Sequence, residues 1–375
     1  MAAITPRGLR PGETIAFVSP SARLNELLPA VLARAKAALE ARGHPVKVFW
    51  THEDEGTGIP AHIKNRLKEL LAAFADPEVR AVICTVGGTT ANELVPSLLG
   101  GDPAAAEVVR ANPKVFVGYS DITALHWALR AKAGLRTFYG PGVFPELGDA
   151  PGPMAFTIDN LLRAIRHDPA AAAAAGGADV PAPLGPVPRS THYAPQLPDF
   201  CFGDAASTAA SPLAATPPWR WVRRGSCTGR IFGGCLSLVV RMQGVRAMEP
   251  DWRGKVLLLE TATDETMRGP LPLPRVRQFL ADLVAYGVVA QAAGMVLGRF
   301  FGYDSEEARA ELEGVVDGVL RAELGPGLEE GGREFPVLMN VDVGHTSPMV
   351  TIPLDALVRL DSETDTFEIL EAGIV

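Results

Sequence analysis

Val115-Phe116-Val117-Gly118-Tyr119-Ser120-Asp121-Ile122-Thr123-Ala124-Leu125-His126-Trp127-Ala128-Leu129-Arg130 passes from an apolar β-branched run through one glycine and one serine into a stretch of helical period. The pattern predicts strand, sharp turn and helix, with Ser120 at the turn. A serine placed there is lifted out of the sheet edge, and the amide nitrogens that open the following helix face whatever it attacks. The form is Gly-Tyr-Ser-Asp and not the Gly-x-Ser-x-Gly elbow of the α/β-hydrolases. A plain helix cap is the other reading of Ser120, since serine is a favoured N-cap residue.

Outward from this unit the same grammar repeats. Strands are expected at Thr14 to Val18, Val46 to Trp50 and Val79 to Val86, and helices at Leu27 to Arg42, Ile63 to Ala75, Ala91 to Leu99 and Ile122 to Ala133. Strands alternating with helices of this length predict a parallel sheet covered on both faces. Ligands of such sheets lie beyond the carboxyl ends of the strands. Those ends carry Ser19-Pro20-Ser21, Gly87-Gly88-Thr89-Thr90 and Gly118-Tyr119-Ser120-Asp121, all on one rim. The glycine pair reads either as an ordinary strand-to-helix turn or as backbone that approaches a substrate closely and donates to an oxyanion. No Gly-x-Gly-x-x-Gly or Gly-Lys-Ser/Thr pattern follows a strand, which argues against a dinucleotide or triphosphate cradle and places a nucleotide-dependent transferase last.

At 375 residues with 47% hydrophobic content the chain can build two domains with real cores. A net charge of -8 argues against a nucleic-acid polymer as partner, which would need clustered Lys and Arg. No apolar run is long enough to cross a bilayer and Met1-Ala2-Ala3-Ile4-Thr5-Pro6-Arg7 lacks the apolar core of a secretion signal, so the expected location is cytoplasmic, with no membrane partner. Cys84, Cys201, Cys227 and Cys235 have neither metal-ligand nor disulfide-scaffold spacing. Cys84 is expected to pack as a small apolar residue.

From about Ala150 the texture changes. Pro169 to Pro188 and Ser207 to Pro218 are dominated by Ala, Gly, Pro and Ser. They divide the chain into an N-terminal domain at 1–150, a Pro/Ala-rich linker and loop at 151–222, and a C-terminal domain at 223–375. Trp219 and Trp221 pack at the boundary or stack on a substrate. In the last part Lys255 to Leu259 predicts a buried strand delivering Glu260, Leu273 to Tyr286 an amphipathic helix, and Met295 to Phe300, Val337 to Val343, Ile352 to Leu360 and Phe367 to Leu370 further strands. Val337 to Val343 runs into Gly344-His345-Thr346.

Ser120, Glu260 and His345 thus each follow a strand. A serine hydroxyl becomes nucleophilic when an imidazole accepts its proton, and the imidazole needs a carboxylate to fix its tautomer. Glu260 also reads as a solvated strand-end carboxylate, although Val256-Leu257-Leu258-Leu259 pushes it inward. Among the other histidines, His44, His52, His62 and His167 are expected at the surface, His126 on the far side of its helix from Ser120, and His192 in the Pro-rich linker remains open as a base. His345 is the best candidate.

At this point the motifs match a family. Gly118-Tyr119-Ser120-Asp121, Leu257-Leu258-Leu259-Glu260 and Gly344-His345 ahead of Ile352-Pro353-Leu354-Asp355 resemble the LD-carboxypeptidase superfamily of serine peptidases, which includes the MccF-like proteins that confer immunity to microcin C. Leu9-Arg10-Pro11-Gly12-Glu13, Ala73-Phe74-Ala75-Asp76-Pro77 and Gly229-Arg230-Ile231-Phe232-Gly233-Gly234 extend the resemblance over nearly the whole chain. It implies an α/β fold, a Rossmann-like parallel-sheet N-terminal domain plus a smaller, sheet-rich, swivelling-type C-terminal domain, with the active site between them. It further implies a triad of Ser120, Glu260 and His345, an oxyanion hole from the amides of Gly88 and Asp121, no metal or cofactor, and a cytoplasmic homodimer. Gly233-Gly234-Cys235 stands where the family often has Gly-Gly-Asn, which removes the polar side chain. Thr85-Val86-Gly87-Gly88-Thr89-Thr90 is closer to the MccF-like branch than the Arg-Gly-Gly-x-Gly of the peptidoglycan-recycling branch. The expected activity is therefore cleavage of an amide bond in a small peptide or aminoacyl-nucleotide conjugate through an acyl-enzyme. Trimming of the terminal D-residue of muropeptides, and non-catalytic capture of a conjugate, are the alternatives.

Overall fold

The computed structural model describes residues 3–54, 56–167 and 181–375. Part of the expected linker, 168–180, lies outside the described residues. Thr14–Val18, Val46–Phe49, Val79–Cys84, Val115–Gly118 and Phe138–Tyr139 form a parallel sheet in the spatial order 2-1-3-4-5. Strand order reverses beside the first strand, and doubly wound sheets place ligands at the carboxyl end of that switch point. Ile15 and Phe17 point to a core shared with Val31, Leu39 and Ile158, whereas Ala16 and Val18 point to one shared with Leu70, Phe74 and Trp127. Burial on both faces explains why these strands read as near-continuous apolar runs.

A second sheet has the order Gly185–Pro186, Thr366–Ile369, Leu357–Asp361, Ser226–Cys235, Val256–Glu260, Gly294–Gly298, Val337–Val341, Arg220–Arg223. Ser226–Cys235 pairs antiparallel with Leu357–Asp361 through its first half and parallel with Val256–Glu260 through its second. The strands Val256–Glu260, Gly294–Gly298 and Val337–Val341 run parallel. This sheet therefore also has a rim of carboxyl ends, carrying Cys235, Glu260 and the turn to His345. The helix Thr123–Ala133 is wedged between the two halves: Trp127 packs against Phe232 and Trp252, with ring centroids 5.6 and 5.7 Å apart. Among the described residues no helix is long and apolar enough to cross a membrane.

Several local expectations need correction. The segment expected as one helix from Ala91 to Leu99 is a 3₁₀ turn, Ala91–Leu94, and a wide turn, Ser97–Gly101. Pro96 has no N–H to continue a helical ladder, and Gly100 at φ 131° breaks the helical path. A helix not anticipated from the sequence, Pro103–Ala111, follows; the side chain of Asp102 accepts from Ala104 N at 2.9 Å. The 151–222 segment is more than a connection, because it holds the helix Ala155–Ile165 and contributes Gly185–Pro186 and Arg220–Arg223 to the second sheet. Trp219 and Trp221 pack here: the Arg189 guanidinium lies 3.7 Å from the Trp219 ring centroid and Trp221 Nε1 donates to Asp365 at 2.9 Å.

The largest difference is at Ile352 to Leu360, expected as one strand. Ile352–Pro353 pairs antiparallel with Phe138–Tyr139 in the first sheet, while Leu357–Asp361 belongs to the second. Asp355 makes the crossing at φ 63°, with Oδ2 accepting from Arg130 Nη2 at 2.8 Å and Oδ1 from Lys255 Nζ at 2.9 Å. One buried carboxylate thus ties the helix behind Ser120 to the head of the strand that ends in Glu260. Burial alone would raise the Asp355 carboxyl, but Lys255 and Arg130 outweigh it and hold it low. The stabilisation is present above the ordinary carboxylate pKa and is lost as pH falls through the folded value. Asp355→Asn keeps the left-handed backbone accessible and leaves two cations partly buried without a countercharge. It is expected to lower unfolding free energy in urea by about 2 to 3 kcal/mol, less than for fully buried pairs because Arg130 and Lys255 retain some solvent.

Candidate active site

Ser120 is the first residue of a 3₁₀ turn, Ser120–Ile122, leading into the helix. Its φ is 61°, a left-handed conformation that is uncommon for any residue with a Cβ. The capping alternative does not describe it: the residue ahead of the turn is Tyr119, and no side chain caps that turn. The Ser120 hydroxyl instead meets His345 Nε2 at 2.9 Å. His345 Nδ1 meets Glu260 Oε2 at 2.6 Å. A carboxylate only accepts, so Nδ1 carries the proton, and Nε2 presents its lone pair to the serine hydroxyl. All three residues expected from the sequence are therefore in one hydrogen-bonded run.

Position within this run is determined by the backbone. Gly344 has φ 107°, and a Cβ there would lie 2.6 Å from Glu260 Oε2, so only glycine lets His345 approach its carboxylate this closely. The Glu260 side chain is fully buried and that of His345 is 12% exposed, so the run opens to solvent at its histidine and serine end. Burial pushes the imidazole pKa down, but the charge and hydrogen bond of Glu260, with a contribution from Glu146, reverse this and raise it. The second Glu260 oxygen accepts from Tyr139 OH at 2.6 Å, and Tyr139 OH accepts in turn from Ser120 N at 3.1 Å. Tyr139 is a site residue that sequence reasoning missed. It lies on a two-residue strand with no motif around it.

The glycine pair after the third strand comes close to the hydroxyl through Gly87. A Cβ on Gly87 would sit 2.8 Å from Ser120 Cβ, 3.0 Å from its Oγ and 3.2 Å from Asp121 N, and Gly88 adopts φ 141°. The Asp121 carboxylate fastens the rim, accepting from Ser21 Oγ at 2.7 Å and Ala91 N at 2.8 Å; Ser21 Oγ also accepts from Thr90 N at 3.2 Å. Arg66, buried on the helix Ile59–Ala75, donates to the carbonyls of Pro20 and Thr90 and pairs with Glu93. The loops after the first, third and fourth strands are thereby bound together.

The other histidines do not join the site. His44 and His167, expected at the surface, are buried; His44 Nδ1 lies 3.2 Å from Glu13 O and Nε2 2.7 Å from Arg166, and burial lowers its pKa. His192 is exposed and bonds Thr191. His126 supports the turn from behind, with Nε2 donating to Gly118 O at 2.9 Å and Nδ1 facing Thr137 Oγ1 at 2.9 Å. Burial lowers it to about 4, so it stays neutral. Cys235 pairs in register with Glu260, and burial pushes its thiol up to about 12.

The family model described as the LD-carboxypeptidase N-terminal domain matches residues 15–140, and that described as the LD-carboxypeptidase C-terminal domain matches residues 228–360. A putative carboxypeptidase of Vibrio cholerae is 27% identical over 373 residues, covering 97% of this chain and 96% of the relative. A probable murein peptide carboxypeptidase of Bacillus subtilis is 26% identical over 371 residues, covering 98% and 95%. The microcin C7 self-immunity protein MccF of Escherichia coli is 24% identical over 368 residues, covering 96% and 94%. A solved structure of MccF in complex with aspartyl sulfamoyl adenosine superposes with TM-score 0.81 at 23% identity over 99% of this chain and 100% of that one, which shows the same fold. With both family models matched in order across most of its length, the chain belongs to the LD-carboxypeptidase family of serine peptidases.

Proposed function

We propose that the chain is an MccF-like serine amidohydrolase that works through an acyl-enzyme, with Ser120 as nucleophile, His345 as general base and then acid, and Glu260 as orienting carboxylate. The observation that carries this reading is the unbroken run from Glu260 through His345 to the Ser120 hydroxyl. In the first step His345 Nε2 takes the hydroxyl proton as Ser120 Oγ bonds to the amide carbonyl carbon. The carbonyl oxygen becomes an oxyanion facing the amides of Gly88 and Asp121. Collapse breaks the C–N bond, and the imidazolium gives its proton to the leaving nitrogen. Water, deprotonated by the same imidazole, then releases the acyl group and restores the serine.

The substrate in this reading is a small aminoacyl-nucleotide or peptide conjugate. The MccF complex with aspartyl sulfamoyl adenosine and the Thr85-Val86-Gly87-Gly88-Thr89-Thr90 sequence support it. The murein peptide carboxypeptidase of Bacillus subtilis supports a second reading, hydrolysis of an L,D-linked muropeptide. Side-by-side assay of an aspartyl-adenosine amide conjugate and an L,D-linked tetrapeptide distinguishes them: hydrolysis of the conjugate is expected, and hydrolysis of the muropeptide alone overturns the first reading. Labelling of Ser120 by a fluorophosphonate separates an enzyme from a conjugate-capturing protein, because only an activated hydroxyl reacts. The cytoplasmic homodimer implied by the family resemblance belongs to the same proposal; light scattering is expected to give twice the 39.7 kDa chain mass.

Gly87→Ala tests the rim. The new methyl group would overlap Ser120 and the space beside Asp121 N. It is expected to reduce kcat by about 100-fold through misplacement of the hydroxyl, with a smaller change in KM, read by steady-state kinetics on the hydrolysed substrate.

A further inference from the structure

The chemistry above leaves one buried carboxyl group beside the site unused. Glu146 lies on the turn Val143–Leu147, which is fastened to the rim by Phe144 N donating to Thr85 O at 2.7 Å. Its Oε1 accepts from Tyr119 OH at 2.7 Å and its Oε2 from Gly142 N at 3.0 Å. Tyr119 directly precedes Ser120, and its ring meets the His345 ring edge to face, with centroids 5.0 Å apart and planes at 64°. One tyrosine therefore touches Glu146 with its hydroxyl and His345 with its ring.

We propose that Glu146, acting through Tyr119, is a positioning residue for His345: in its ionised form it holds the tyrosine against the imidazole and stabilises the imidazolium formed when Ser120 is activated. The inference rests on the triad proposed above. Ionised Glu146 can only accept, so Tyr119 OH must donate to it and the ring is held. Protonation removes the charge and adds a donor, which frees the tyrosine hydroxyl to turn. Burial pushes the Glu146 carboxyl up to about 7, opposed by the Tyr119 and Gly142 hydrogen bonds and by His345. Its ionisation is thereby moved toward neutral pH, and its charge is coupled to that of His345, which Glu146 helps to raise.

Other groups face this cluster. Cys201 approaches from the turn Asp199–Phe202 and is pushed up to about 12 by burial, so it remains a neutral thiol. Asp149, pushed up by burial to about 6, accepts from Ala150 N and is opposed by Arg34 from the helix Pro29–Glu40. The Glu260 charge also acts on the Tyr119 hydroxyl and adds to the effect of burial in raising it. Asp149 is therefore the carboxyl whose effect must be separated from that of Glu146.

The test is a ¹³C-histidine NMR titration of the full chain as wild type, Glu146→Gln, Tyr119→Phe and Asp149→Asn, with thermal denaturation of each. Glutamine can offer its carbonyl to Gly142 N and its amide to the Tyr119 oxygen, so Glu146→Gln removes the charge and keeps a hydrogen bond to each of these atoms, while the Tyr119 proton gives up its acceptor. The His345 midpoint is expected to fall by about one pH unit in Glu146→Gln, to fall less in Tyr119→Phe, and to hold in Asp149→Asn. An unchanged midpoint in either of the first two variants, given a wild-type melting transition, overturns the proposal. So does a fall in Asp149→Asn equal to that in Glu146→Gln. No turnover is required, so failure here is distinct from failure of the triad, which is read by activity.

Discussion

Replacing Ser120 by alanine is expected to lower kcat/KM by about 10⁴-fold or more while the melting temperature stays near that of the wild type. The two outcomes are linked by where this serine sits. Its hydroxyl is directed at His345 and caps nothing, so deletion removes no support from the helix Thr123–Ala133. If it were a structural cap, alanine would cost about 1 kcal/mol of stability and leave hydrolysis largely intact. Glycine sharpens the comparison. At φ 61° a Cβ is strained, and Ser120→Gly relieves that strain as well as removing the hydroxyl. The glycine variant is expected to be about 1 kcal/mol more stable than wild type in urea denaturation and as inactive as the alanine variant. Retention of hydrolysis within tenfold of wild type in either variant would remove Ser120 from the mechanism.

Glu260→Gln carries the second large effect, an expected loss of about 10³ to 10⁴-fold in kcat/KM. Wild-type Glu260 accepts twice, from His345 Nδ1 and from Tyr139 OH. Glutamine has one accepting oxygen. If its amide faces Nδ1, the imidazole proton moves to Nε2 and the base can no longer take the serine proton; if it faces Tyr139, the imidazolium loses its countercharge. The pH profile discriminates this from simple misfolding. His345 is raised because Glu260's charge and hydrogen bond overcome burial, so wild-type kcat/KM should climb with pH through a midpoint above 6.5. Without the carboxylate charge, that midpoint should move to lower pH while the plateau falls. The same shift has a stability signature. The contribution from His345 is fully present below its unfolded pKa and is lost as pH rises through the folded value, and Glu260→Gln should flatten that dependence in denaturation measured across neutral pH. A variant with the wild-type acidic limb and only a lower plateau would show that Glu260 does not act on His345.

The candidate residues and the parallel first sheet were legible because strand, turn and helix are written locally. Val115 to Arg130 carries its strand, its sharp turn and its helix within sixteen residues, and each residue type has a conformational reason to be where it is. The failures have equally specific causes. Ala91 to Leu99 has helical spacing, but Pro96 and Gly100 interrupt its backbone path. Ile352 to Leu360 is rich in apolar residues, but Pro353 and Asp355 interrupt it, and composition carries no information about which sheet each half joins. His44 and His167 sit among polar neighbours in the chain and yet are buried, because burial follows from neighbours in space.

Local chemistry along the chain was enough to nominate Ser120, Glu260 and His345, since a reactive side chain just past a strand is a one-dimensional pattern. Folding alone decided that they meet. Ser120 and His345 are 225 positions apart and His345 and Glu260 85, so their contact depends on two sheets presenting carboxyl ends to one crevice, with Asp355 bridging the halves. The supporting contacts of Tyr139, Tyr119, Glu146 and the Asp121 carboxylate were invisible beforehand for the same reason: Tyr139 finds Glu260 across the crevice, Tyr119 finds Glu146 and Asp121 finds Ser21 from separate loops of the first half, and nothing in the neighbouring sequence records these pairings.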